Sequence, residues 1–423
     1  MIEELRESRR KARERFAAVG LPTTRDEEWK YTNLAPLAAL DFDLDADAGV
    51  DRVSEEAIAP FLMGDAAWGR LVFVNGRYSP KLSAVPFLPG GAQVGSLAEA
   101  AVTDAGPLRE HLAGEIDQGG DGLSALNAAG WRDGAFVVVP PTVDLAAPLH
   151  LVFVVTSPQA ATVAHPRNLI VLGEHSRLTV VESYVAVARD TYLTNAVTDI
   201  VLDAGARVEH YKLQHESSRA FHVGRTRIRQ RRDSHLASCS IAFGGRLVRN
   251  DVHVVLEGEG AECALNGLTV VGGAQHSDTH TVVDHAAPRA TSRQLYKGVL
   301  DGRARGVFNG RIVVRPGAQK TDAHQANKNL LLADGVEVDS KPQLEIFADD
   351  VKCSHGAADG QLAAEAVFYL KSRGFGEAAA RALLTYGFAS EVLGRIQEET
   401  VRARLEAALT ARLRYGRVSE ETA

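Results

Sequence analysis

Six segments of this chain can be laid over one another. They start at Ile170 in IVLGEHSRLTVVES, Ile200 in IVLDAGARVEHYKL, Ile228 in IRQRRDSHLASCSI, Val254 in VVLEGEGAECALNG, Val282 in VVDHAAPRATSRQL and Ile312 in IVVRPGAQKTDAHQ, with first residues 30, 28, 26, 28 and 30 positions apart. A repeat of this length means that one structural unit stacks on the next, because a single unit cannot bury its apolar face alone. Each unit reads as strand, turn at glycine or a short polar pair, strand, then a variable return. No unit holds a convincing helix between its strands, which disfavours a doubly wound fold. The near-constant spacing favours a solenoid over a β-sandwich, whose strands also come at short intervals. The expected fold is therefore mainly β, a parallel β-helix (solenoid) core with helical N- and C-terminal regions.

At 423 residues the chain exceeds the size at which one compact core keeps growing, so several regions are expected. Residues 1–130 read as a helix-rich N-terminal domain. Its first helix ends near Gly20, further helices cover Ser96 to about Gly114 and Leu123 to Ala129, and a hairpin turns at Asn75-Gly76. In LPTTRDEEWKYTNL, Trp29 and Tyr31 are large apolar groups in a polar run, as expected of a loop pinned to the body behind it. Residues 131–356 form the β-helix core. Residues 357–423 form a C-terminal helical domain with an apolar stripe at Leu362, Ala366, Phe368, Tyr369 and Leu370, then helices over Ala379–Leu393 and Glu398–Leu413. An open final coil exposes unpaired backbone groups, so the ends of a solenoid must be covered. The N-terminal domain is placed to cover one end; the C-terminal helices either cover the other or dock a partner.

The net charge of -7 and pI of about 6.1 argue against nucleic-acid binding, which needs a basic surface. Three cysteines, Cys239, Cys263 and Cys353, are too few for a disulfide framework and fit a reducing, cytoplasmic location. The charged N-terminus lacks the apolar segment of a signal peptide, and no apolar run is long enough to span a membrane.

Most motif classes are excluded. Gly317-Ala-Gln-Lys320-Thr321 lacks the glycine that a phosphate-binding loop needs before its lysine, and C-x-x-C and G-x-S-x-G do not occur. Cys239 and Cys263 sit in apolar strand contexts as small hydrophobes. His276, His280 and His285, interspersed with Asp278 and Asp284, read as polar residues about a turn rather than a metal site. Arg225, Arg227, Arg229 and Arg231 alternate along one strand face, as expected of a solvated outer surface. The informative stretch is KPQLEIFADDVKCSHG, residues 341–356, where Asp349, Asp350, Cys353 and His355 fall within seven residues. Positions i and i+2 of an extended segment point the same way, so Cys353 and His355 can approach one metal together. Two donors leave a first-row metal unsaturated, and the rest would come from another chain; a packed cysteine and a turn-capping histidine are the plainer alternative.

The run SRQLYKGVLDGRARGVFNGRIVV, the segment AQKTDAHQANKNLLLADGVEVDSKPQLEIFADDVKCSHGA and then GQLAAEAVFYLKSRGF closely resemble the SufB/SufD family of iron-sulfur cluster assembly proteins. TTRDEEWKYTNL, with the scarcity of cysteines, is similar to the SufD branch. The resemblance implies a β-helix core flanked by helices, and a non-catalytic scaffold in a complex with a SufB-like sister subunit and a SufC-like ABC-type ATPase. It implies that His355, and with it Cys353, lies beside a transient iron-sulfur cluster or iron at a shared interface, with no cofactor permanently bound. It places the SufC contact on the C-terminal helices, at Tyr369, Leu370, Leu383, Leu384 and Phe388, and allows a homodimer when the sister is absent. No nucleic acid or membrane partner is implied. The competing reading is a carbohydrate-acting β-helix enzyme using Asp349, Asp350 and His355; adjacent carboxylates on a strand point to opposite faces, which weakens it.

Overall fold

The computed structural model describes residues 2–40, 53–103, 106–108, 110–111, 121–156, 162–187, 190–413 and 417–418. Two ten-stranded sheets form the body. One runs, neighbour by neighbour, through Arg77–Tyr78, Gly69–Val74, Asp144–Val155, Arg177–Ala186, Arg207–His215, His235–Ala242, Glu262–Val271, Thr291–Leu300, Asp322–Leu331 and Lys352–Gly360. The other runs from Gln93–Ser96 through Ala135–Val139, Arg167–Leu172, Tyr192–Leu202, Phe221–Gln230, Leu247–Leu256, His276–His285 and Arg305–Val314 to Glu337–Ile346, with the short strand Thr162–Ala164 beside Tyr192–Leu202 as its tenth. The chain alternates between the sheets, each coil adding one parallel strand to each, so the expected β-helix is the observed fold.

The repeat is visible as a column of side chains. Val137, Ile170, Ile200, Ile228, Val254, Val283, Ile312 and Leu344 are successive register partners in the second sheet. The seven from Val137 to Ile312 are no more than 1% exposed. One alignment is corrected: Val283, not Val282, stands on Val254, while Val282 pairs with His253. In VVD two valines compete for one inward position, and a slip of one residue turns a side chain to the opposite face.

The turns between the sheets form a second column. Thr142, His175, Gly205, Asp233, Gly260, Arg289 and Lys320 all have left-handed backbone, φ between 53° and 72°. Their N–H groups donate in turn to the carbonyls of Glu174, Ala204, Arg232, Glu259, Pro288, Gln319 and Asp350, one coil further on. Five of the seven are not glycine, and the left-handed form costs such residues about 1 kcal/mol each. A rung of hydrogen bonding at every coil, worth about 0.5–1.5 kcal/mol per bond, offsets that cost. At Gly205 glycine is required twice over, since a Cβ there would lie 2.2 Å from the His175 ring.

The helices Ile2–Val19, Gly122–Gly130, Ala364–Ser372, Glu377–Leu393 and Glu399–Arg412 stand close to their expected places. The helix expected over Ser96 to Gly114 is present at Leu97–Val102, and residues 112–114 lie outside the described residues. The hairpin at Asn75-Gly76 is confirmed, with φ 49° and 76° at the two turn residues. The C-terminal helices do not cover the far end of the solenoid. Val392, Leu393, Val401, Leu405 and Leu409 pack against Val181, Leu213, Ile241, Leu268 and Val299, on the outer flank of the first sheet. That face carries enough apolar surface to hold them, whereas the last coil offers a half-exposed rim. The last strand runs to Gly360, four residues past the sequence-read limit of the core.

Candidate functional site: the open end of the solenoid

Lys352–Gly360 is the last strand of the first sheet and Glu337–Ile346 the last of the second; each has a neighbour on one side only. Cys353, His355 and Asp359 stand in register on Ala323, Gln325 and Asn329. These partners belong to the buried, lumen-facing set of their strand, so Cys353 and His355 do share one face, at the mouth of the solenoid interior. Beneath them the floor is polar. Gln325 is 3% exposed, and neither its side-chain oxygen nor its nitrogen has a partner. Asn329 Nδ2 donates to Asn327 Oδ1 at 2.9 Å and to Asp359 Oδ1 at 2.8 Å, and Ser340 Oγ donates to Asn327 Oδ1 at 2.8 Å. Glycine makes this floor possible, because a Cβ at Gly310 would lie 2.2 Å from Gln325 Nε2.

Cys353 is half-buried beside Ile312, Val314 and Ala323, while His355 is exposed. Burial pushes the Cys353 thiol above its ordinary value, so it keeps its proton at neutral pH and must release it to bind a metal. Among the described residues no three His, Cys, Asp or Glu side chains converge to hold a metal ion. The pair therefore offers an incomplete donor set. Cys239 and Cys263 are buried as expected, and burial raises the Cys239 thiol to about 12.

Asp350 serves the turn, and Asp349 is exposed beside it. The Asp350 carbonyl closes the turn column, its N–H donates to Gln319 Oε1 at 2.9 Å, and its carboxylate pairs with Lys320.

Two other groups fall differently from their sequence reading. His276–His285 is a strand, not a turn. His285 faces inward onto Ser292, whereas His276, Asp278 and His280 face outward and receive the TTRDEEWKYTNL segment. Thr32 Oγ1 donates to Asp278 at 2.5 Å, Arg249 donates to the Glu28 carbonyl at 2.6 Å, and the Arg249 guanidinium lies 3.9 Å over the Trp29 ring. Trp29 is buried, as expected of a pinning residue. The arginine stripe is not simply solvated: Arg225, Arg227, Arg229 and Arg231 pair with Asp121 or Asp251, Asp199, Glu257 and Asp203. Neighbouring coils supply acids at the matching register, which a single strand does not reveal.

Sequence reasoning missed the polar interior. Glu182 accepts from the Tyr184 hydroxyl at 2.7 Å and lies 3.1 Å from His210 Nε2; His222 Nδ1 lies 2.6 Å from Glu216; Lys212 Nζ donates to Asn250 at 2.9 Å. All are buried. Burial alone would raise the Glu182 carboxyl, but His210, Lys212 and Tyr184 hold it below its ordinary value. Cavities of about 20 and 30 Å³ share Thr269, Ser277, Thr279 and Tyr296 and extend this polar interior to Asn327 and Asn329 beneath the mouth. Each has room for a water molecule or two. The available signal was charge at alternate positions of otherwise apolar strands, as in VEHYKLQHE.

Comparison with known proteins agrees with this architecture along the whole chain. Residues 1–151 match the SufBD protein N-terminal region, and residues 153–388 match the SufBD core domain of the SUF system for FeS cluster assembly. An iron-sulfur cluster assembly SufBD family protein of Synechocystis is 34% identical over 412 residues, covering 96% of this chain and 90% of its own. The iron-sulfur cluster assembly protein SufD of Escherichia coli is 33% identical over 399 residues, covering 94% and 90%. SufD of Bacillus subtilis is 30% identical over 287 residues, covering 67% and 65%. Two domain matches that together span the described solenoid, and relatives that align with nearly the whole chain, lead to one conclusion: this chain belongs to the SufBD family of iron-sulfur cluster assembly proteins.

Proposed function

We propose that the chain is a SufD-like, non-catalytic scaffold subunit of a SufB–SufC–SufD complex that assembles iron-sulfur clusters and transfers them to apoproteins. The observation that carries this reading is the unfinished last coil, an open sheet edge with a thiol and an imidazole at its rim and, among the described residues, no third donor to complete a metal site. In Lys352–Gly360 the Lys352 N–H donates inward, to Thr321. By the alternation of a parallel strand, the N–H groups of Cys353, His355, Ala357 and Asp359 then point off the edge. In Glu337–Ile346 the N–H of Glu337 donates inward, so position 342 faces outward, and it is occupied by proline. Proline there blocks strand addition. The first sheet's edge is thus the one prepared for a partner strand, and a SufB-like sister is its occupant; a second copy takes its place when the sister is absent.

In this reading the nascent cluster, or iron, is cargo. His355 and Cys353, spaced ~6.6 Å along the strand, each contribute a donor, and the sister subunit supplies the rest. The exposed face of helices Ala364–Ser372 and Glu377–Leu393 receives the SufC-like ATPase. Phe368, Tyr369, Phe375 and Leu383 are exposed there, and a cluster of large apolar side chains in water favours a protein contact. Leu370 and Leu384 are half-buried beside them. Phe388 supports the helix from inside, its ring 4.2 Å from Lys297 Nζ. ATP hydrolysis in that partner would open the shared seam. Among the described residues no helix is long and apolar enough to cross a membrane.

The decisive experiment mixes the purified chain with the SufB-like and SufC-like proteins of the same organism, follows assembly by native mass, and then follows cluster formation by absorbance. A ternary complex that makes clusters, and that His355→Ala leaves assembled but impaired in cluster formation, is the expected result. Failure to associate removes the scaffold role; unimpaired clusters with His355→Ala remove the ligand role alone.

A further inference from the structure

Beneath the last helix, Glu399–Arg412, a cleft of about 260 Å³ opens on the outer flank of the first sheet. Phe61 and Met63 form one wall, and Leu213, Ile241, Phe243 and Leu405 the other. Among the described residues its ionisable lining is basic, Arg404, Arg412 and His215, with no aspartate or glutamate.

Arg412 is the anomaly. It is only 4% exposed, yet among the described residues its one hydrogen bond is from Nη2 to the Val270 carbonyl at 3.4 Å, Nε and Nη1 have no partner, and the guanidinium otherwise lies 5.9 Å over the Phe243 ring. Burial pulls the guanidinium down to about 10, with no carboxylate acting against it. The contrast is Arg249, equally buried but held by Asp251 and Asp278 at 3.0 Å each. A buried, unpaired charge is among the costliest features a fold can carry. The dipole at the end of its own helix gives Arg412 partial relief only. His215, pushed down to about 4 by burial and by Arg412 and Arg404, is neutral and adds a hydrogen-bonding ring to the same cleft.

We infer that this cleft binds a small monocarboxylate with an apolar body, its carboxylate beside the Arg412 guanidinium and its body along Phe61, Met63 and Phe243. A single negative charge neutralises the single buried positive one, whereas a phosphate dianion would leave a net charge in an apolar site. The carboxylate is that of a free organic acid. The site lies on the flank, apart from the mouth of the solenoid, and does not rest on the scaffold reading.

The test uses octanoate and its neutral analogue octan-1-ol on the full chain and on Arg412→Met. Octanoate is expected to raise the unfolding midpoint of the full chain by about 2 °C or more at saturating concentration, octan-1-ol to have at most half that effect, and Arg412→Met to abolish the octanoate response. Because Arg412→Met removes an unpaired buried charge, it should be at least as stable as the parent without ligand. No octanoate response of the full chain, or equal responses to octanoate and octan-1-ol, overturns the inference even if Arg412→Met fails to fold.

Discussion

At one end the first sheet stops in Arg77–Tyr78, a two-residue antiparallel strand; at the other it stops in nine residues of parallel edge, nearly all exposed. The second sheet repeats the contrast, closing with antiparallel Gln93–Ser96 at the first end and stopping at Glu337–Ile346 at the second. The interior differs in the same sense. Near the capped end Tyr78, Phe73, Phe153 and Tyr184 stack in sequence, centroids 5.7, 5.1 and 4.8 Å apart. At the open end the corresponding space is floored by Gln325, Asn327 and Asn329. One end is built as a finished core, with reversed strand direction and aromatic bulk to exclude water and further strands. The other retains free backbone groups and polar side chains, which is stable only where something else completes it.

The largest effect should come from the capped end. Phe73→Ala, at a fully buried ring, is expected to cost about 3–5 kcal/mol in denaturant unfolding, and Leu344→Ala in the half-buried last coil about a third of that. Equal losses would mean that the two ends do not differ. Next, Ala357→Pro removes only an outward N–H, so it should weaken association with a SufB-like sister by about a hundredfold, or ~2.7 kcal/mol, while the unfolding midpoint of the isolated chain moves by no more than ~2 °C. Unchanged association in a titration would show that this edge is not the contact.

A smaller, local effect concerns the segment that crosses the flank between the ends. Burial pulls the His280 imidazole down, but Asp278 at 3.0 Å and Glu28 at 3.3 Å more than reverse this, and it stands at about 9. Its folded value is raised, so its contribution is complete below the ordinary histidine value and is lost as pH rises through about 9. Trp29 fluorescence should therefore change near pH 9, and His280→Gln should remove that step; a step that persists in the variant assigns it to another group. The smallest effect on folding is expected on the exposed helices. Phe368→Asp should alter stability by no more than ~0.5 kcal/mol yet abolish capture of a SufC-like ATPase, and retained capture would move the docking site elsewhere.

Much of this was legible beforehand. The column from Ile170 to Ile312 follows from the repeat, and the shared face of Cys353 and His355 follows from strand alternation. Pro342 was an unread signal, because a proline inside a strand marks an edge position whose N–H faces away from its neighbour. The misread residues share a cause. Val282, the histidines of His276–His285 and the arginine stripe were judged within one strand, but their inward or outward roles are decided by the residues at the same register one coil away. Asp199 answers Arg227, and Thr32 answers Asp278 across 246 positions of sequence.

The amino-acid sequence alone determined that the chain winds into coils, because a period near thirty residues with alternating apolar positions has few other ways to bury its apolar face. It also determined where the turns fall and that a thiol and an imidazole share one side of the last strand. Only the tertiary structure decided which end is closed, that the C-terminal helices lie along the flank, and that charged groups fill the middle of the interior while one arginine stays unpaired. Those outcomes depend on which surfaces meet across hundreds of residues, and the free energy of a buried group is set by its neighbours in space rather than in sequence.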